Sequence, residues 1–417
     1  MAESCVSDRL SCLIGGGKWE RALCWALALG VFILVSGYVW FESGSARNAQ
    51  VYIWLLLPAL VYGVCVALVR SSIRIPFEYY PWLLMLAWMA LSTQWATGAE
   101  APLSLAKRGL YMACFLLAVK MLHDRDAQLL RNAILCAVVV VAAGALITIV
   151  YQFLWLGQPL EYRAYRLYRL GIGDIADYGW PVVAGIFHGS VAVWALGVAL
   201  ERRTSLLRAL FWLAVFGVLT IYVLLTYTRG AWFALLGAAG MVVLLQRSKR
   251  GWWLTGGGAL LLTLAIFHFW DRLLIEVQVR QLSGRGPIWE YFFQLMPGHW
   301  LFGYGLGTPF EYKWPTQDAV SPHAHSLYLQ QIYDSGLVSV ALMAAGLLVV
   351  GLKAWKLRDD PFVRLAVPVL VFALIAMLTD VERIYSRPGT YWTVFWLPLA
   401  VLLARPVRPG DRHASSR

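Results

Sequence analysis

Two histidines one residue apart, His323 and His325, stand in SPHAHSLYLQQIYDSG (residues 321–336), directly before a strongly apolar segment. Imidazole titrates near neutral pH, so either ring can take a proton from an attacking hydroxyl. Ser321 is expected to cap a helix and Pro322 to fill its first position, which places both histidines in the first turn. The positive end of the helix dipole keeps a ring there neutral. Residues i and i+2 of a helix point about 200° apart, so one ring is expected to face a cavity and the other to be structural.

Arginine is the second ingredient. Arg229 in LTYTRGAW and Arg285 in LSGRGPIW stand at the edges of apolar segments, and the loop of residues 157–180 adds Arg163, Arg166 and Arg169. A guanidinium can grip a phosphate through two parallel hydrogen bonds, so these side chains are candidates for an anionic substrate. The plainer alternative is pairing with Glu161, Asp174, Glu276 or Glu290, or, for Arg229, snorkelling toward lipid headgroups. Gly284 and Gly286 flank Arg285 and let a ligand approach the backbone. There is no CxxC pair and no HExxH, and the cysteines (Cys5, Cys12, Cys24, Cys65, Cys114 and Cys136) avoid the long outside loops. Neither a metal, a cofactor nor a disulfide framework is expected.

Something must hold these residues at one surface, and the composition says what. Hydrophobic residues make up 60% of the 417 and charged residues only 14%, with mean hydropathy +0.64, which leaves too little polar surface for a soluble globule. The fold class is therefore an all-α integral membrane protein. Twelve apolar runs are expected to span, near 21–41, 51–69, 80–97, 109–122, 132–156, 181–200, 206–227, 230–246, 252–269, 335–353, 363–380 and 390–404. Pro58, Pro181, Pro368 and Pro398 are expected at kinks or helix ends. Most of the 35 Lys and Arg fall in alternate connections, from Arg9, Lys18 and Arg21 through Arg125 and Arg131 to Arg405 and Arg408, which predicts both termini in the cytoplasm. The whole chain, 1–417, is expected to be one membrane domain, with residues 270–334 as a large, partly helical outside loop between the ninth and tenth spans. Within that loop, DRLLIEVQVRQL and PIWEYFFQLM are expected as helices, broken at SGRGP. PGHWLFGYGLGTPF is expected as tight turns and EYKWPTQDAV as a polar connector. GYGLG lacks the strand–turn–helix unit of a nucleotide fingerprint, and no nucleic-acid partner is expected.

In order and spacing, TYTRGAW, SGRGPIWEYFFQLMPGHWLFGYGLGT and HAHSLYLQQIYDSGLVSVALMAAGLL resemble the O-antigen ligase and polymerase family of bacterial envelope enzymes. The resemblance covers about residues 160–350. It implies a glycosyltransferase that moves a glycan from undecaprenyl diphosphate to the lipid A-core of lipopolysaccharide, at the periplasmic side of the inner membrane, without metal or nucleotide sugar. It also implies that His325 is the essential histidine and that Arg285 and Arg229 are the functional arginines, with Arg166 or Arg169 as a further contact. His323 and Ser326 are supporting residues; Ser326 stands where the family commonly has Asn, and keeps a capping or hydrogen-bonding side chain. Membrane lipids are the remaining partners. The same frame would suit a repeat-unit polymerase or a protein O-glycosyltransferase. A lipid-linked sugar transporter is the alternative of another class, against which stand the lack of a charged midplane pathway and the grouping of polar candidates at one surface.

Overall fold

The computed structural model describes residues 17–69, 75–268, 284–315, 318–380 and 383–406, with the single positions 270, 274 and 278. Most of DRLLIEVQVRQL, including Arg272, Glu276 and Arg280, lies outside the described residues, as do Arg9, Cys5, Cys12 and Arg408. Among the described residues the regular structure is helical apart from one short strand pair and an isolated bridge, Ile172 with Ile175. Its helices are α1 (Gly17–Ser36), α2 (Gly44–Val51), α3 (Leu57–Val69), α4 (Tyr80–Ser92), α5 (Pro102–Ile149), α6 (Pro181–Ala199) and α7 (Leu206–Leu225). There follow α8 (Arg229–Gln246), α9 (Lys249–His268), α10 (Arg285–Leu295), α11 (Leu327–Lys356), α12 (Pro361–Ala376) and α13 (Leu397–Ala404). Every expected span falls on one of these elements. By length and apolar composition, seven helical segments of the described residues suffice to cross a membrane, and Pro361–Ala376 and Trp392–Ala404 are shorter apolar segments.

The expected fourth and fifth spans are parts of one element, α5, broken at Asp126 (φ −148°, ψ 80°), whose Oδ1 accepts the Leu129 N–H as a new helix cap would. A straight helix of this length would measure roughly 70 Å, more than twice the hydrocarbon core. The contacts show a reversal instead. Near one end, the Gly109 N–H donates to Tyr385 Oη at 2.9 Å; near the other, a Cβ on Gly144 would strike Val39 at 2.5 Å. Both neighbours belong to one face, because Gly389 lies beside Tyr38. The break itself is on the opposite face, where Arg125 pairs with Glu20 and Arg131 with Glu201.

That opposite face gathers the basic connections, with Lys353–Glu78 at 2.7 Å and Arg405–Asp360 at 2.5 Å joining them. The alternation of basic and non-basic connections read from the sequence therefore corresponds to two real faces. Pro181 starts α6, Pro368 is inside α12, and Pro58 and Pro398 each follow a single π-helical turn, Tyr52–Leu56 and Trp392–Trp396. A proline has no N–H for the preceding turn, and the wider turn accommodates the loss.

The large loop has its own small core of Ile288, Phe292, Met296, Phe310, Ala324 and Tyr333. The expected polar connector contains an antiparallel pair, β1 (Tyr312–Lys313) with β2 (Val320–Ser321). The Gly-rich stretch is a series of turns, with Gly298, Gly303, Gly305 and Gly307 all at positive φ. It is stitched to the chain around Gly336, where α11 breaks (φ 71°, ψ −178°) and a Cβ would come 2.0 Å from the Leu301 carbonyl oxygen. Only glycine fits both the angle and the approach.

Candidate functional site

The site forms where three helices begin. Gly284, in the left-handed conformation (φ 79°), turns the chain into α10, so that Arg285 is its first residue. Arg285 Nε donates to the Thr379 carbonyl at 2.9 Å, and its guanidinium forms an ion pair with Asp380. The Asp380 side chain is 3% exposed, and Thr379 Oγ1 adds a 3.3 Å contact to it. Burial raises the Asp380 pKa, against which Arg285 first and Arg166 last act to lower it. This pairing differs from the partners expected from sequence: no ion pair between described residues joins Arg166 or Arg285 to Glu161, Asp174 or Glu290.

Arg229 is the first residue of α8 and is half-buried. The next residue has to be small, since a Cβ on Gly230 would lie 2.7 Å from Thr379 Oγ1 and 2.9 Å from Asp380 Oδ2. The start of α8 is thus pressed against the same carboxylate that holds Arg285. Arg166 reaches this helix start from the 157–180 loop, with Nε donating to the Thr226 carbonyl at 2.9 Å and Nη2 to Thr228 Oγ1 at 3.3 Å. Arg169 does not join it. Its guanidinium lies over the Tyr168 ring, 5.2 Å from the centroid, and its carbonyl accepts from Gln152.

The histidine segment differs from its expectation. The helix starts at Leu327, not at Pro322, and Ser326 is its N-cap residue. Ser321 belongs instead to β2, and its hydroxyl donates to the His323 carbonyl. The Ser326 hydroxyl makes no capping bond, although its carbonyl accepts the Gln330 N–H at 2.9 Å. The local reason is His325, which sits at φ 50° just before the cap and turns the chain sharply. This turn brings the two rings together instead of apart, with centroids 4.2 Å from each other. His323 Nδ1 accepts the His325 N–H at 3.3 Å, so a neutral His323 carries its proton on Nε2. His325 is depressed to about 4, mainly by burial, then by His323 and Arg285. The ring is neutral at pH 7, as expected, but burial rather than the helix dipole is the main cause.

A polar chain that sequence reasoning missed supports this turn. Trp289 Nε1 donates to the Ala324 carbonyl at 3.0 Å, and the Ala324 N–H donates to Gln330 Oε1 at 2.9 Å. Gln330 Nε2 donates to Asp334 Oδ1 at 3.0 Å, and Arg383 binds both Asp334 oxygens at 2.6 and 3.0 Å. Finally, the Leu327 N–H donates to the Met377 carbonyl at 3.0 Å, which ties the histidine turn to the Thr379–Asp380 segment. The apolar pattern puts Asp380 at the end of the expected 363–380 span. The signal that reveals it is LTDVERIYSRPGT, in which acids and arginines crowd a short connection between apolar helices.

Together these features define a class: a polytopic α-helical membrane protein whose arginines, helix starts and neutral histidine meet at one membrane face. Residues 212–344 match the family described as O-antigen ligase. The chain is also 26% identical over 394 residues to the O-antigen ligase of Pseudomonas aeruginosa, covering 94% of this chain and 93% of that one. The resemblance drawn from the motifs to the O-antigen ligase family is thus shown, and similarity extends along nearly the whole chain. The matched region holds Arg229, Arg285, His323, His325 and Ser326, while Arg166, Asp380 and Arg383 reach the site from outside it.

Proposed function

We propose that this protein is an inverting, metal-independent glycosyltransferase that moves O-antigen glycan from undecaprenyl diphosphate to lipid A-core oligosaccharide. The observation that carries the reading is the meeting of Arg285 and Arg166 around Asp380, with Arg285 acting electrostatically on His325. An acceptor hydroxyl attacks the anomeric carbon as the bond to the lipid diphosphate breaks. Neutral His325 takes the proton from that hydroxyl. Arg285, Arg166 and Arg229, with the N–H groups of the helix starts, stabilise the charge that develops on the leaving diphosphate. A bound diphosphate also offsets the field of Arg285 at His325, which raises the basicity of the ring when it is needed. Arg169 contributes little, since its guanidinium lies on Tyr168.

In this reading the basic face lies in the cytoplasm by the positive-inside preference, both termini with it, in the bacterial inner membrane. Residues 270–334 and the site then face the periplasm. The test is reconstitution of the purified protein with undecaprenyl-diphosphate glycan and lipid A-core, following glycan transfer by gel mobility. Transfer by the wild type and none by His325→Ala supports the reading. Transfer to a second lipid-linked glycan instead of lipid A-core would make the protein a polymerase, and movement of lipid-linked sugar with no new bond would make it a transporter.

A further inference from the structure

The loop that supplies Arg166 also builds a polar cavity apart from that site. The cavity measures about 320 Å³ and is lined by Tyr38, Phe41, Ser43, Arg47, Asp174 and Asp177, among others. It lies between the α1–α2 connection and the 157–180 loop, which are joined by the Ala176 N–H to the Tyr38 carbonyl at 2.7 Å. Tyr178 stacks on Tyr38 with centroids 5.1 Å apart. A Cβ on Gly389 would lie 3.8 Å from Tyr38 Oη, so the connection that carries Asp380 and Arg383 packs beside one residue of the cavity wall.

Its charges are unusual. Arg47 is only 7% exposed, yet it forms no ion pair with a carboxylate among the described residues. Its guanidinium lies 3.5 Å from the Tyr38 ring centroid, and Nη2 donates to Asn48 Oδ1 at 3.2 Å. A buried guanidinium without a counter-charge is costly unless something else satisfies its remaining N–H groups. Across the cavity, Asp177 Oδ1 accepts the Gly179 N–H at 2.7 Å, while the Asp174 carboxylate makes no hydrogen bond or ion pair among the described residues. Spare donors, spare acceptors and aromatic walls therefore face one space. Its volume falls at the small end of the roughly 300–1,000 Å³ typical of small-ligand sites.

The chemistry selects the ligand class. Two carboxylates oppose an anion, and three charged side chains oppose an acyl chain. A neutral sugar ring offers hydroxyls that both give and accept hydrogen bonds, together with C–H faces that pack on aromatic rings. We propose that this cavity is a sugar subsite, in which Arg47, Asp174 and Asp177 bind ring hydroxyls, and Phe41 with the edge of the Tyr38 ring forms the wall. The inference rests on the glycosyltransferase reading and gives it a contact to the glycan apart from the reacting bond. The sugar comes from either the transferred glycan or the acceptor oligosaccharide.

The experiment uses the full-length protein in lipid nanodiscs and two lipid-free probes from the same bacterium. One is core oligosaccharide cleaved from lipid A by mild acid, and the other is glycan released from its lipid diphosphate. Saturation-transfer NMR should show one of them bound, which assigns the sugar to the acceptor or to the donor. Asp174 is exposed, so Asp174→Asn should fold normally and weaken that probe roughly tenfold, with a matching rise in KM for the corresponding lipid-linked substrate and far less change in kcat. Arg47→Gln should weaken it at least as much. No binding of either probe to the wild type, or wild-type affinity in Asp174→Asn, overturns the subsite. Sugar binding that is intact in a wild-type protein that transfers glycan to neither lipid A-core nor a second lipid-linked glycan overturns the glycosyltransferase reading and leaves the subsite standing.

Discussion

Two arginine–aspartate pairs anchor the connection between α12 and α13, and they are built differently. Arg383 binds both oxygens of Asp334, which is 1% exposed within α11 and also accepts from Gln330, so that its acceptors are largely consumed. Arg285 and Asp380 meet at the starts of α8 and α10, with Arg166 and His325 close enough to shift or feel the same charges. The first pair holds the histidine turn from behind. The second places a cation where an anion would be stabilised, with Asp380 holding the guanidinium in position. In the proposed reading, the pair at the converging helix starts trades its carboxylate for a diphosphate, whereas the Asp334 carboxylate, held by Arg383 and Gln330 together, stays in place.

That contrast can be broken by mutation. The largest effect is expected for His325→Ala, which should lower the ligation kcat roughly 10²–10⁴-fold while insertion and thermal unfolding stay close to wild type. A rate near wild type would remove His325 as the base. Arg285→Lys keeps the charge but loses the fork, and should cost on the order of tenfold or more in kcat/KM, read with purified donor and acceptor. Full activity would reduce Arg285 to a general electrostatic part.

The two aspartates should then separate. Asp334→Asn takes the charge from a carboxylate that is 1% exposed and bound by both Arg383 and Gln330, and should destabilise the fold by about 1.5–3 kcal/mol, seen as a lower unfolding midpoint in nanodiscs. Asp380→Asn should unfold closer to wild type and instead change the apparent affinity for donor. Equal midpoints for the two variants would erase the distinction between scaffold and site.

The smallest effect concerns pH. With His325 held at about 4, the neutral base is present above that value and is lost as pH falls through it. The kcat/KM profile should be flat from about pH 8 to 5 and fall below, and Arg285→Gln should move the falling limb upward, because Arg285 disfavours the imidazolium. A limb near the ordinary histidine value in the wild type would show that the ring is solvated.

Much of this was legible in the chain itself. Apolar runs marked the helices, and alternating basic connections marked the two faces, because the bilayer imposes length and charge rules on every segment separately. Arg229 and Arg285 stood out because charges in short connections beside apolar helices need a reason. Asp380 and Arg383 met the same criterion, but Asp380 was absorbed into the end of an apolar run. Their partners, Arg285 and Asp334, are distant in sequence, and no periodicity signals a pair of that kind. The helix start at Leu327 was also hidden, since Ser321–Pro322 is an adequate cap that tertiary contacts overrule by pulling Ser321 into a hairpin and the Ala324 N–H onto Gln330.

Sequence alone thus determined a helical membrane protein with its candidate arginines and histidines, Arg166, Arg229, Arg285, His323 and His325, expected at one surface, since hydropathy and charge act locally. Tertiary structure decided that His323 and His325 touch, that Arg166 rather than Arg169 enters the site, and that Asp380 holds Arg285. Those outcomes depend on close approach, and the glycines that permit it, such as Gly230 against Asp380 and Gly336 against Leu301, acquire meaning only when the facing chain is in place.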